Sequence, residues 1–235
     1  MPTKIAILLP PSEGKAPGGT GPPWEPGASS LPELDRARAR VVRAAGRAVA
    51  GSPTLPAIER YTGVLYKELA YPSLPAATRR RVDRSVLIAS GLLGLVAPHD
   101  PVPEHRLKMS ASLPRLGKLS TWWRPQLTAA LTDRLAGAVV WDLLPNEHAA
   151  AWSPEAIAMR RRITVRFVDA NGATVAHWNK LLKGALVRHV LDHGITDPHD
   201  LDGWEHPSGY RLDPTVSDLT SPTALVVLSE RPRGS

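Results

Sequence analysis

The sequence predicts a single α/β domain in which a central mixed sheet is flanked by helices. Short apolar runs typical of buried strands alternate along the chain with segments of helical spacing, which is the pattern of α/β proteins. A length of 235 residues favours one compact domain, and no linker is long enough to separate two. We therefore expect one domain over residues 1–230 and a flexible tail over residues 231–235.

Five apolar runs have the composition of buried strands. They cover residues 5–9, 85–89, 138–143, 163–168 and 224–228. The first run is closed by a Pro-Pro pair and the second by a Ser-Gly pair, which mark where these strands should end. In addition, Asn171 and Gly172 predict a hairpin-like turn that leads into residues 174–176.

Three segments have the spacing of helices, and each has a glycine after its end. They cover residues 31–50, 125–135 and 178–193. The first carries arginines at i, i+4, i+7 and i+11, which form one basic stripe that we interpret as a solvated face. The stripe consists of Arg36, Arg40, Arg43 and Arg47.

The composition excludes several kinds of chemistry. The chain contains no cysteine, which removes disulfides, zinc–thiolate sites, iron–sulfur clusters and thiol nucleophiles. Its N-terminal apolar run is too short for a signal peptide, and no run approaches the ~20 residues of a membrane span. We therefore expect a cytoplasmic protein without a membrane partner. The formal net charge of +7 carries little weight, because a coding bias toward arginine also explains it.

The first polar loop, residues 10–15, directly follows the first predicted strand. Ser12, Glu13 and Lys15 place a hydroxyl, a carboxylate and an ammonium close together on a turn loosened by Gly14. Such a group can hold an oxyanion and move a proton near it, so Glu13 is a candidate base and the other two are candidate ligands. The spacing is not that of a P-loop. An ordinary charged turn is the alternative, and spacing alone favours it.

The second polar loop, residues 90–109, is stiffened by three prolines. Prolines fix the backbone, so the side chains that the loop presents have less entropy to lose on binding. A structural role for this stiffening is the alternative. The candidate ligand-binding residues are Ser90, Asp100, Arg106 and Lys108, and His105 is a candidate base.

The third polar loop follows the strand predicted at residues 138–143. Glu147 and His148 are candidate bases that would project from the strand end into a cleft, with Asn146 as a neighbouring ligand. The alternative is that Asn146 caps a helix and that Glu147, in its first turn, interacts favourably with the helix dipole.

The late helix carries a fourth group of candidates, Asn179, Lys180, Lys183 and Arg188. Lysines at a helix start oppose the dipole, which favours a ligand-facing role, although a solvated basic face is the alternative. Gly184 costs about 1 kcal/mol in a helix interior, which suggests a close approach by backbone or ligand.

Metal and cofactor motifs are weak or missing in the sequence. His189 and His193 have i, i+4 spacing, but the His-Glu-x-x-His pattern is absent and a cation near a helix end suits the dipole. No Gly-x-Ser-x-Gly elbow is present. We therefore expect no metal and no cofactor.

Four motifs in register resemble the YaaA family of bacterial peroxide-stress proteins. The resemblance implies one α/β domain with a positively charged cleft, and it adds Thr62 to the candidate ligands. It also implies DNA binding and survival of peroxide stress through limits on free iron, with no established reaction. The motifs lie at residues 8–15, 61–66, 90–109 and 179–188.

Three departures from the family pattern fall in the predicted cleft. Ala97 stands where an arginine is usual, and His105 and His148 stand where aromatic residues are usual. These changes favour a new ligand, so the first hypothesis is a cofactor-free enzyme, such as one of secondary metabolism, that acts on a small anionic substrate by acid/base chemistry. The reaction would be proton abstraction with elimination, or an intramolecular substitution that expels an oxyanion. The alternatives are a DNA-binding stress protein like its relatives and a partner-binding subunit without activity. The sequence leaves the oligomeric state open.

Overall fold

A computed structural model describes residues 3–175 and 178–230. Its centre is a seven-stranded sheet of order β10-β11-β9-β8-β1-β3-β4. Two small antiparallel ladders, β2 with β5 and β6 with β7, lie outside it. The strands are β1 Ile5–Leu9, β2 Thr54–Pro56, β3 Val86–Ser90, β4 Gly94–Val96, β5 Pro101–Pro103, β6 Ser112–Leu113, β7 Gly117–Lys118, β8 Val139–Asp142, β9 Arg161–Val168, β10 Tyr210–Leu212 and β11 Thr223–Glu230.

The five inner strands of the central sheet are parallel, and the two edge strands are antiparallel. β1 lies between β3 and β8, with Leu8 paired to Leu87 and to Asp142. All residues of β3 and β8 are buried, as expected of parallel strands covered on both faces. This confirms the predicted mixed sheet. It also means that β1, β3, β8 and β9 end at the same edge.

Helices flank the sheet, as predicted, but their boundaries differ in two places. The segment predicted as one helix over residues 31–50 begins with a 3₁₀ turn and breaks at Gly46, which has a φ of 103°. The helix predicted at residues 125–135 begins six residues earlier and carries Pro125 inside it. The helices are α1 Asp35–Ala45, α2 Arg47–Ala50, α3 Ala57–Arg60, α4 Val64–Leu69, α5 Ala76–Ser85, α6 Leu119–Leu135, α7 Asn146–Ala149 and α8 Asn179–His193.

The predicted hairpin-like turn at Asn171 and Gly172 is present. It returns the chain so that Thr174 forms an antiparallel bridge with Val168. The prediction for residue 176 lies outside the described residues, as does the tail over residues 231–235. Among the described residues, no helix is both long and apolar enough to cross a membrane.

Gly184 explains how closely α8 packs on α4. A Cβ at this position would lie 2.4 Å from the carbonyl oxygen of Leu65 and 2.8 Å from the Cβ of Glu68. Both atoms belong to α4, so the close approach that the sequence suggested is made by backbone and not by a ligand. The contact fixes the start of α8, with its lysines, against the polar loops.

Candidate functional site

A polar cleft lies where the first and third loops leave the sheet. The loop after β1 and the loop after β8 meet there because neighbouring parallel strands end at one edge. The segment after β5 and the start of α8 complete the walls. All four groups of candidates defined from the sequence, the three polar loops and the late helix, therefore contribute residues to one site.

The cleft has two lobes that share one wall. The first lobe has a volume of about 500 Å³ and the second about 400 Å³. The shared wall consists of Pro11, Ser12, Glu13, Gly14, Glu147 and His148. The first lobe alone is lined by Lys15, Glu104, His105, Arg106, Leu107 and Lys108, and the second by Pro10, Gly63, Val64, Leu65, Tyr66, Pro145, Asn179, Lys180 and Lys183.

The loop after β1 is held by hydrogen bonds to its own backbone carbonyls. Lys15 Nζ donates to the carbonyl of Ser12 at 2.9 Å, and Ser12 Oγ donates to the carbonyl of Gly14 at 2.5 Å. Thr62 donates its backbone N–H to the same carbonyl at 3.1 Å. A Cβ on Gly63 would lie 2.5 Å from the Cβ of Ser12, so glycine is required there. Thr62 and Gly63 therefore pack against the loop after β1 and help to fix its position.

Glu13 and Lys108 form an ion pair across the first lobe. Their Oε1 and Nζ atoms are 2.7 Å apart, and both side chains are largely exposed. The hydrogen bond from Lys108, together with the charges of Lys108 and Lys180, holds the pKa of Glu13 below its usual value. Lys15 acts in the same direction, so one carboxylate lies within the field of three lysines from three segments. A carboxylate stabilised as its anion in this way is a weak base.

His105 is a buried, neutral imidazole in the first lobe. Its residue is 5% exposed, and its Nδ1 accepts a hydrogen bond from the backbone N–H of Leu107 at 3.2 Å. Burial, followed by the charges of Lys15 and Arg60, lowers the pKa of His105 to about 3. Because Nδ1 is an acceptor, the ring proton must lie on Nε2, and Nε2 has no partner among the described residues. His105 is thus equipped to donate one hydrogen bond.

His148 lies in the wall shared by both lobes and is 5% exposed. Neither ring nitrogen has a hydrogen-bond partner among the described residues, and the nearest carboxylate, Glu147 Oε1, is 3.6 Å from Nδ1. Burial lowers the pKa of His148, and Lys183 adds to this effect while Glu147 opposes it. A neutral imidazole with free nitrogens can accept a proton at neutral pH.

Lys183 extends from α8 to the loop after β8. Its Nζ donates to the carbonyl of Leu143 at 2.8 Å. Burial lowers the pKa of Lys183 to about 8, and the charge of Asp142 opposes the shift. Asp142 itself is held by Arg162 through two hydrogen bonds of 2.9 and 2.5 Å. An ammonium with one hydrogen-bond partner among the described residues has donor capacity left for a ligand.

Five sequence-derived candidates lie outside the lining of the cleft, and one of them is Thr62, which supports the loop after β1. Ser90 is fully buried and accepts from the N–H of Leu93, and Asp100 accepts from the N–H groups of Ser30 and Ala97. Arg188 donates to Ser73 and pairs with Asp192 farther along α8. Asn146 is exposed at the first position of α7, and its side chain does not cap that helix, so the alternative that Asn146 is an N-cap is wrong.

Some lining residues and supports were not expected from the sequence. Glu104 lines the first lobe, and Tyr66 lines the second and donates its hydroxyl to the carbonyl of Pro10 at 2.7 Å. Arg60 is fully buried and donates to four carbonyls, including that of Val102. The signal for Tyr66 was its place in the motif over residues 61–66. No sequence pattern marked Arg60, because burial of an arginine depends on tertiary contacts.

A larger cavity, of about 1120 Å³, lies at the opposite end of the sheet. It is lined by the first residues of β1, by the end of α5 and by one face of α6. It lacks buried histidines and lies at the amino ends of the strands, whereas ligands of open α/β sheets bind at the carboxyl ends. Chemistry therefore favours the smaller, two-lobed cleft. Within the described part of the chain, no three His, Asp or Glu side chains are grouped to hold a metal ion.

The fold and the cleft define a class: an α/β protein whose parallel strands end at a polar cleft lined by lysines and neutral histidines. Comparison with known proteins identifies the family within that class. The chain matches the family model described as "Peroxide stress protein YaaA" over residues 7–216, and it belongs to this family. The resemblance inferred from the four motifs is thereby confirmed.

Curated relatives carry the name UPF0246 protein. The chain is 38% identical over 218 residues to one from Streptomyces coelicolor, an alignment that covers 81% of this chain and 84% of the relative. It is 33% identical to one from Corynebacterium efficiens, covering 78% of this chain and 84% of the relative. A relative from Bacteroides thetaiotaomicron is 30% identical, covering 71% of this chain and 68% of the relative. The family is therefore spread over distant bacteria.

Proposed function

We propose that this protein is a cofactor-free enzyme that binds a small anionic substrate and moves a proton within it. One observation carries the proposal: two buried imidazoles line a cleft that also presents five cationic side chains, and among the described residues His148 has no hydrogen-bond partner at either ring nitrogen and His105 has none at Nε2. A buried polar atom left without a partner costs stability, so its retention at a cleft points to a ligand. Perturbed pKa values at such a place point in the same direction.

The two imidazoles take different roles. His148, neutral and with free nitrogens, is the general base. His105 cannot accept a proton near neutrality, and its Nε2–H donates to an oxygen of the substrate. Lys15 in the first lobe and Lys183 in the second supply positive charge that attracts the anionic substrate. Glu13 stays ion-paired with Lys108 until an anionic group takes its place.

These roles suit an elimination or an intramolecular substitution that expels an oxyanion. His148 takes a proton from a carbon, nitrogen or oxygen of the substrate, and the electron pair left behind forms the new bond. The bond to the leaving oxygen breaks with its electron pair, and the cations stabilise the anion released. The product is the substrate minus the elements of an acid. The chemistry needs no group beyond the side chains of the cleft.

Incubation with a bacterial metabolite extract enriched in anionic compounds tests this proposal. We expect the wild-type protein to deplete one anionic compound and to form a product lighter by an acid such as water, acetate or phosphate, as read by mass spectrometry. The variant His148→Gln should leave the compound intact and Lys15→Gln should slow its conversion, whereas the exposed-histidine control His193→Gln should convert it at the wild-type rate. Conversion by both cleft variants at the wild-type rate would show that the assigned roles are wrong.

DNA binding is the second candidate, and one observation favours it. Arg36, Arg40, Arg43 and Arg47 are all exposed, as predicted for a solvated stripe, and Arg40 lies 4.4 Å over the ring of Trp122. If all four contact phosphates, duplex affinity should fall about 100-fold between 50 and 200 mM salt. Replacing the four with glutamine should remove the binding and its salt dependence. A mobility-shift titration measures both, and absence of binding at 50 mM salt removes this candidate.

A further inference from the structure

We infer that the ligand of the cleft carries two separate anionic groups, one held in each lobe, joined by a linker that passes Glu13 and His148. This inference rests on the proposed function, since it names the substrate class of the same site. It follows from how the cations, the carboxylates and the imidazoles are divided between the lobes.

Each lobe has its own cations. Lys15, Arg106 and Lys108 line the first lobe only, and Lys180 and Lys183 line the second lobe only. The wall between them, residues 11–14 with residues 147–148, contains no cation. A single small anion in one lobe would therefore leave the cations of the other lobe without a ligand.

The charge of the cleft matches a dianion. Its lining holds five cationic side chains and three carboxylates, those of Glu13, Glu104 and Glu147. Both imidazoles have lowered pKa values and are counted as neutral. The cleft thus carries an excess of two positive charges, which two singly charged groups would balance. Charge complementarity of this kind selects ligands by excluding those with fewer or misplaced charges.

The carboxylate of Glu13 occupies the place of a ligand group. It lies in the shared wall and accepts a hydrogen bond from Lys108, and it also feels the charges of Lys15 and Lys180. An anionic group entering the first lobe would compete with Glu13 for Lys108, and the second group would take Lys180 and Lys183. The part of the ligand between the two groups would then lie against His148, which belongs to both lobes.

Calorimetric titration with propane-1,3-bisphosphonate and with propylphosphonate tests the inference without any reaction taking place. We expect the wild-type protein to bind the bisphosphonate at least about tenfold more tightly, the effect of one added charge-assisted contact. Lys108→Gln and Lys180→Gln should each weaken bisphosphonate binding by about tenfold. Only one of the two variants should weaken binding of the monophosphonate, because that ligand can occupy one lobe at a time.

The control is Lys118→Gln, which removes an exposed lysine outside the cleft and should leave both affinities unchanged. Equal affinity for the two probes, no binding of either, or equal sensitivity of the monophosphonate to both lysines would overturn the inference. These results concern binding alone. The acid/base proposal would instead be overturned by activity that survives His148→Gln, so the two failures are distinguishable.

Discussion

Replacing Arg38 by alanine is expected to lower the free energy of unfolding by about 3 kcal/mol or more, as for other buried charges removed from their partners. Arg38 is completely buried, and its guanidinium joins the start of α1 to β4 and to the segment between β3 and β4. Its removal leaves several carbonyls and one carboxylate without their donors in a place that water does not reach freely. The acceptors are the carbonyls of Ser30, Leu31, Leu93 and Leu95 and the carboxylate of Asp35.

The matched control is Arg36→Ala, two residues earlier on the same helix. Arg36 is exposed, so its removal should change the free energy of unfolding by no more than about 0.5 kcal/mol. Urea denaturation followed by tryptophan fluorescence measures both variants. Arg38→Lys should fall between wild type and Arg38→Ala, because one ammonium cannot reach acceptors that a guanidinium holds on several sides. Equal losses from Arg36→Ala and Arg38→Ala would contradict the structural role of Arg38.

The same pair of arginines shows what the sequence could predict about α1. The exposure of Arg36, Arg40 and Arg43 was predicted correctly because they recur at helical spacing; Arg47 is also exposed, but it lies in α2, beyond the break at Gly46. Arg38 lies on the opposite face with Leu34, Val41 and Val42, so the i, i+4 spacing already placed it among buried positions. Its burial was missed because an arginine is read as a solvent residue. Only the carbonyls supplied by other segments make burial favourable, and these come from tertiary structure.

The strands also divide into those that the sequence predicts and those that it does not. The predicted ends of the inner strands lie within two residues of the observed ends. Such strands are predictable because parallel strands buried on both faces have continuous apolar sequences. The edge strands β4 and β10 were missed, since each has three residues and lies among glycines, prolines or turns. β4 lies inside the segment predicted as a polar loop. Its pairing with β3 explains why part of that loop is buried.

The site was predictable as a convergence of loops and not as a set of side chains. Strand ends brought Ser12, Glu13 and His148 together, because β1 and β8 are neighbours in the sheet. Ser90 also ends a strand, but its side chain points into the interior and caps the next turn. Asp100 looked like a ligand because it is ionisable, yet its carboxylate orders the loop by accepting two backbone N–H groups. Direction and burial of a side chain are set by packing that a loop sequence does not encode.

For the base itself, His148→Gln is expected to reduce kcat by about 10²- to 10⁴-fold, the usual contribution of a general base. Glutamine keeps much of the volume and polarity of the histidine but cannot take up a proton at neutral pH. Burial lowers the pKa of His148 from its ordinary 6.5, so the wild-type enzyme should stay active as the pH falls to 6.5 and lose activity only below it. Retention of activity by His148→Gln, with His193→Gln as control, would exclude this base.

The alkaline side of the same profile should report Lys183. This lysine must be charged to hold the anionic group, and burial lowers its pKa from 10.5 to about 8, so kcat/KM should fall as the pH rises through about 8. Because kcat/KM reports the free enzyme, a bound anion should favour the charged form and shift the fall in kcat to higher pH. Lys183→Arg should abolish the alkaline limb, since a guanidinium stays charged. Lys180→Arg, on the exposed side of the same lobe, should leave the limb in place. An unchanged limb in Lys183→Arg would assign it to another group.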